Sequence, residues 1–175
     1  LIAGFGTIMF DAHQIAINID GLGIVPAMAF QVAATTLVGQ GIGAQKPELS
    51  EEAARQSTII STIMMSLIGV IYFFLGKYAI GIFTKDAQVI ALGRNALKIL
   101  AFPQPFTAIY FVMAGALRGA GDTKYAMYAS AIGMWAVRLG IGYILADLLN
   151  MALAGAWIAV TIDMAVRMIL VLKRF

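Results

Sequence analysis

The chain has 175 residues, of which 61% are hydrophobic and 12% charged, with no cysteine, one histidine and a net charge of +3; its mean hydropathy is +0.89. That leaves too little polar surface to clothe a water-soluble globule, so the composition reads as an integral membrane protein. It excludes disulfides and thiolate metal sites. With Lys and Arg gathered at the ends of apolar runs and forming no basic stripe, it also argues against nucleic acid as a partner.

A membrane helix needs roughly 20 apolar residues, so the chain holds at most about six spans with short connections. The run Leu1 to Phe10 is about half that length and reads as the tail of a helix. It lacks a basic n-region and is not a signal peptide. Asp11, Ala12, His13 and Gln14 form a polar junction, with His13 a capped or solvated residue beside a helix start. The first full span is expected from Ile15 to Val38, kinked at Pro26. It carries Asn18, Asp20 and Gln31, polar groups that belong against protein or a wet cavity and not lipid.

Gly39, Gly41 and Gly43 end that span. Lys46-Pro47-Glu48 then opens a helix, with proline early and acid in the first turn. Residues 47 to 56 are expected at or above the interface, with the second span from Ser57 to Leu75 and Lys77 at its exit. The third begins near Ile99, after Arg94 and Lys98, and ends near Leu117; Pro103 and Pro105 break or bend it. The fourth runs from Tyr125 to Ala146 around Arg138, and the fifth from Met151 to Leu172 around Asp163 and Arg167.

Between the third and fourth spans lies Leu117-Arg-Gly-Ala-Gly-Asp-Thr-Lys124. Gly119 and Gly121 suit a left-handed helix cap, and Asp122 or Thr123 suits the N-cap of the next helix. Gly41-x-Gly43-x-x-Lys46 and Gly119-x-Gly121-x-x-Lys124 share a spacing that suggests an internal repeat. Alternation of sides places both turns and the Lys173 terminus together. That side holds seven of the twelve Lys and Arg residues and the opposite side four, which marks it as cytoplasmic.

Asp20, Arg138, Asp163 and Arg167 are the ionisable residues inside spans, each costing several kcal/mol unless paired or wet. Arg138 and Asp163 fall at nearly equal depth, and Asp163 and Arg167 are one turn apart. A fixed ion pair between the last two helices is one reading; a place in a translocation pathway is the other. Asp20 has no evident cationic partner at its depth and suits a cavity-facing carboxylate that binds a proton or a cationic substrate. Gly39-Gln-Gly-Ile-Gly-Ala imitates a dinucleotide fingerprint but follows a membrane helix where a strand is required. Nothing points to a cofactor, a metal site or an enzyme's nucleophile and base.

Several stretches in register resemble the C-terminal half of the multidrug and toxin extrusion (MATE) transporters. They are Ala12-His-Gln-Ile-Ala16, Ala33-Ala-Thr-Thr-Leu-Val-Gly-Gln-Gly-Ile-Gly-Ala44, the turn at 117 to 124, Ala136-Val-Arg138 and Gly155-Ala-Trp-Ile-Ala159. The resemblance implies an all-α polytopic lobe of six helices, seven to twelve, whose first helix is truncated. It further implies an absent N-terminal lobe as partner, a multi-pass location in a bacterial or archaeal plasma membrane, and export of small cationic or amphipathic compounds against H+ or Na+. On that reading Gln14, Asn18, Asp20, Gln31, Thr107, Tyr110, Arg138 and Asp163 are candidates for the substrate or cation pathway, and Arg118, Gly119, Gly121 and Asp122 build a structural turn. Thr107 stands where helix ten of the sodium-coupled NorM-like branch has a carboxylate. The chain is therefore nearer the DinF-like branch, whose coupling aspartate lies in the other lobe. A lipid-linked precursor flippase of the same superfamily and a non-transporting membrane scaffold are the competing readings.

Overall fold

A computed structural model describes residues 7 to 145 and 152 to 175. The described residues form helices throughout: α1 (Thr7–Gly23), α2 (Val25–Gly43), α3 (Pro47–Gly81), α4 (Ala87–Ala101), α5 (Gln104–Gly119), α6 (Thr123–Ala131) continuing into a π-helical stretch (Ile132–Ile141), and α7 (Ala152–Arg174). Backbone amides cannot stay unpaired in hydrocarbon, so an all-helical polytopic fold is what the composition demands. Three spans are long and apolar enough individually to cross a bilayer, and α4 with α5, bent by 52° at Phe102 and Pro103, make a fourth. The limits expected at Ala146 and Met151, and the segment from Leu1 through Gly6, lie outside the described residues.

The expected polar junction at Asp11 to Gln14 is absent. Helix α1 runs straight through it, and α1 and α2 act as one span from Thr7 to Gly43. Ile24 bridges them, its N–H donating to Asp20 O at 3.0 Å and its carbonyl accepting from Met28 N at 3.2 Å. Pro26 therefore interrupts the ladder without ending the span, because it removes one backbone donor while the bonds on either side survive. Likewise α3 is a single helix of 35 residues from Pro47, past Lys77, to Gly81, about 52 Å long. The segment expected above the interface is its first turns.

One seam explains how α3 packs. Ser50, Ala54, Ser57, Ser61, Met65, Gly69, Tyr72, Gly76 and Ile80 are all buried and recur every three or four residues. Most are small, which lets neighbouring backbones approach closely where lipid supplies no hydrophobic drive between helices. A Cβ at Gly69 would lie 2.7 Å from Ala101 O, and one at Gly76 3.3 Å from Leu97. Helix α4 is part of this packing from Val89 onward, its buried face being Val89, Gly93, Ala96, Leu97 and Leu100. Its N-terminus is capped by Asp86, which accepts from Gln88 N at 2.8 Å.

Helix α5 is the central one, with Gln104, Thr107, Ala108, Tyr110 and every residue from Val112 to Leu117 buried. It has no lipid-facing stripe because other helices surround it. Two larger apolar cores result, beside two small clusters, Ala27 with Met65 and Ala108 and Val38 with Ala54 and Ala116, that join α2, α3 and α5. Ala16, Ile19, Tyr72, Ile80, Ala96, Leu97, Leu100 and Trp157 join α1, α3, α4 and α7. Tyr110, Met113, Ala114, Leu117, Ala126, Ala129, Met164 and Val171 join α5, α6 and α7.

The turns ending α2 and α5 share one hydrogen-bond pattern. Lys46 N donates to Gly41 O and Gln45 N to Ile42 O, as Asp122 N donates to Leu117 O and Gly121 N to Arg118 O, all at 2.9 to 3.0 Å. Both are Schellman caps. Residues 41 to 46 thus match 117 to 122, two positions away from the register of the shared Gly-x-Gly-x-x-Lys spacing. Gly121 is the left-handed cap at φ 89°, and its counterpart is Gln45 at φ 58°. Gly119 is helical instead, and a Cβ there would strike the carbonyl oxygen of Thr35. Asp122 caps α6 by accepting from Tyr125 N at 3.2 Å and pairs with Arg174 Nε at 2.6 Å. Chiefly that arginine, with the Tyr125 N–H, holds its carboxyl below the usual aspartate range. The same pair brings the C-terminus of α7 to the Gly121 turn.

A left-handed backbone costs a residue with a Cβ about 1–2 kcal/mol. Gln45→Gly is therefore expected to raise stability by about 1 kcal/mol and Gly121→Ala to lower it by about that much, read as opposite shifts of the melting midpoint in detergent. Equal midpoints for Gln45→Gly and the native protein would refute the strained cap.

Candidate functional site

Three of the four ionisable residues within the spans come together. Asp163 on α7 is fully buried, at 0% exposure, and Arg167 is 8% exposed. Arg167 grips the carboxylate with two donors, Nε to Oδ1 at 2.5 Å and Nη2 to Oδ2 at 3.0 Å. This is the planar fork that suits guanidinium to carboxylate. Arg138 approaches from the π-helical stretch, Nε 3.0 Å from Asp163 Oδ2. Its Nε–H makes no hydrogen bond there, so the contact is electrostatic. Among the described residues no cation lies within ion-pair distance of Asp20, which stands apart from this cluster of one carboxylate and two guanidiniums.

Local winding makes the arrangement possible. In an α-helix residues five apart are about 1.4 turns from each other, on nearly opposite faces. In π winding five residues close one hydrogen-bonded turn. Gly133 and Arg138 consequently share the face turned to α7. Gly133 must be glycine-small, because a Cβ there would overlap both Asp163 Oδ1 and Arg167 Nε.

Asp20 is half-buried, and its Oδ1 accepts from Gln104 Nε2 at 2.9 Å. The same nitrogen donates to Leu100 O at 3.0 Å. Gln104 is the first residue of α5 at the 52° bend, 2% exposed, and its Oε1 has no partner. Its Nε2 thus ties Asp20 to the break between α4 and α5. The Tyr72 hydroxyl donates to Ile19 O at 2.9 Å next to Asp20 and lies over Gly23, where a Cβ would meet the phenol. Sequence reasoning missed Gln104 and Tyr72. A signal for the first existed, a glutamine between two prolines within an apolar span, where an amide is costly without partners.

Of the remaining candidates only Tyr110 touches the Asp163 cluster, through Arg167. Gln14 and Asn18, four residues apart, lie on the exposed side of α1. Thr107 is buried, and its hydroxyl donates to Pro103 O at 2.9 Å within its own helix. Tyr110 is anchored: its hydroxyl sits 2.6 Å from Ser130 Oγ and its ring 5.6 Å beneath the Arg167 guanidinium. Gln31 faces Arg118, and with its amide turned so that the oxygen points to the guanidinium, that oxygen accepts from Nη1 at 2.8 Å and from Nη2; Arg118 Nε donates to Ala114 O at 3.1 Å. His13 is neither cap nor solvated; it packs 4.9 Å from the Trp157 ring.

Comparison with known proteins follows the same lines. The chain is 35% identical over 97% of its length to a probable multidrug resistance protein NorM of Thermotoga maritima, and 33% identical over 99% to one so named from Mannheimia succiniciproducens. It spans 37% and 38% of the length of these relatives. Among solved structures, a MATE in the bent conformation aligns with 97% of the chain at a TM-score of 0.91 and 21% identity. An outward-facing multidrug resistance MATE family transporter aligns at 0.89 and 22%, and the chain covers 38% of each. These two likenesses speak for the fold. The family model MatE matches residues 1–144, and the chain belongs to the MATE family.

Proposed function

We propose that this chain belongs to the C-terminal lobe of a two-lobe secondary transporter of a bacterial or archaeal plasma membrane. Its first described span runs unbroken from Thr7 to Gly43, in place of the truncated helix and separate span expected from sequence. The whole protein exports small cationic or amphipathic compounds in exchange for H+ or Na+, and this chain is one half of it. The observation that carries the reading is the Asp20–Gln104 contact. A half-buried carboxylate inside a span is tied through one amide to the bend of the central helix. Loading Asp20 with a proton or a cation changes what the Gln104 amide can bond, and the bend between α4 and α5 responds. Such a ligand shifts a two-state equilibrium only through its differential affinity for the two states, which is the logic of alternating access.

The roles divide by burial. Asp163 and Arg167, buried and forked together, hold α7. Arg138 and Asp20, more accessible, face the pathway. A threonine at 107, with its hydroxyl committed to Pro103 O, supplies no carboxylate on α5. This favours a DinF-like pattern over a NorM-like one, although the relatives cited carry the NorM name. The flippase reading requires a strongly cationic cavity, which two arginines sharing one buried aspartate do not offer.

Efflux of a fluorescent cationic dye from vesicles holding the full-length transporter, under imposed pH and sodium gradients, tests the proposal. Asp20→Asn is expected to cut gradient-driven efflux at least about tenfold, an effect on the order of 1.4 kcal/mol, with folded protein retained. Efflux indifferent to both gradients, or undiminished in Asp20→Asn, would overturn it. Asp163→Ala leaves two arginines uncompensated and is expected to cost about 3–5 kcal/mol of stability, seen as loss of the monodisperse peak in detergent. A well-folded, inactive Asp163→Ala protein would instead move Asp163 into the pathway.

A further inference from the structure

A second site lies apart from the charge cluster, where α2 passes the end of α5. Met28, Gln31, Val32, Thr35, Thr36 and Arg118 line a cavity of about 350 Å³ there. Among the described residues no carboxylate lies within ion-pair distance of Arg118, in contrast to Arg138, Arg167 and Arg174. Its guanidinium is nevertheless held in place, by Gln31 on one side and Ala114 O on the other. Those bonds leave part of a five-donor fork unused and preoriented at the helix end. Away from that end the groove becomes apolar: Val32, Met28 and Val25 on α2 are 66%, 49% and 56% exposed. From Val32 to Val25 the strip extends about 10 Å along the helix.

We propose that this groove binds an anionic phospholipid, its phosphate on Arg118 and an acyl chain along Val32, Met28 and Val25. Charge complementarity selects the headgroup, because the arginine has no acidic partner of its own. The apolar strip selects a lipid over a free anion. Lys46, Lys124 and Lys173 lie at the same end of the lobe, where the Asp122–Arg174 pair joins the Gly121 turn to the end of α7. Basic pockets between helices on the positively charged side of a membrane protein are where anionic headgroups lodge. The inference does not depend on transport, since binding is its readout.

The full-length transporter in detergent is titrated with phosphatidylglycerol, phosphatidylcholine and inorganic phosphate. The melting midpoint reports stabilisation, and native mass spectrometry counts retained lipid. Phosphatidylglycerol is expected to stabilise and to be retained, with neither of the others doing so. Arg118→Gln is expected to weaken that binding at least about tenfold, as loss of a charge-assisted fork should. Val32→Trp fills the apolar strip while leaving Arg118 and Gln31 intact, and is expected to do the same, which keeps the test decisive if Arg118→Gln misfolds. Lys77→Gln, at the opposite end of the lobe, should bind as the native protein does. Wild-type affinity in Val32→Trp or Arg118→Gln would overturn the proposal. Equal stabilisation by inorganic phosphate would overturn it in favour of a free-anion site. No retained lipid in any variant would overturn it in favour of a groove sealed by the other half of the transporter.

Discussion

Asp163 carries its charge at 0% exposure, and the rest of the lobe is arranged so that it can. A carboxylate withdrawn from water costs several kcal/mol unless opposite charge and hydrogen bonds surround it. Arg167 supplies the hydrogen bonds from one turn along α7, and Arg138 supplies charge from the facing segment. Two guanidiniums on one carboxylate leave an excess of +1, and Arg138, at 36% side-chain exposure, is the more accessible of the two. The Arg138–Asp163 contact therefore depends on both helices being in place. A cluster of this kind makes the assembled lobe specific as well as stable, because a helix displaced by one turn would strand a charge in hydrocarbon.

The same economy of space governs the apolar packing. Association of helices in lipid relies on close contact, and the contacts here are made where side chains are smallest. Gly69 meets Ala101 O, Gly115 meets Gln31 O, and Gly119 meets Thr35 O. These approaches pack α5 and the end of α4 against their neighbours, and the bend between them interrupts the backbone bonding of the span. Pro105 can give no N–H to Ala101 O, and the Gln104 side chain takes up the carbonyl next to it, Leu100 O. Gln104 is thus both a repair of the broken helix and the tie to Asp20. A proton or cation acting at one carboxylate in the proposed cycle would reach the helix axis through a single amide.

The two ends of the lobe differ in kind. One end carries paired Schellman turns, the Asp122–Arg174 bridge and an arginine without an acidic partner. The other carries the Asp86 cap and Lys98 lying 5.5 Å over the Phe73 ring. Basic residues near a membrane surface anchor depth and meet headgroups. The asymmetry between the ends is what a lobe embedded in a two-sided bilayer requires.

Composition and periodicity determined that this is a helical membrane protein, where its prolines interrupt helices, and which four charges are expensive enough to demand partners. Those conclusions depend on the solvent, which acts on every residue alike, so they are legible one residue at a time. The family was legible too, from motifs in register. Tertiary structure decided the partners. Arg138 reaches Asp163 only because its segment winds as a π-helix, which residue spacing alone does not announce. Gln104 bonds Asp20 across 84 residues of sequence, and Tyr72 bonds the carbonyl of the neighbouring Ile19 across 53. Gly119, which resembles a cap in sequence, proved to be a packing contact, while Gln45, with nothing in its side chain to suggest it, takes the left-handed cap. A side chain's role is set by what lies within a few ångströms of it, and in a bundle of long helices those neighbours come from distant sequence.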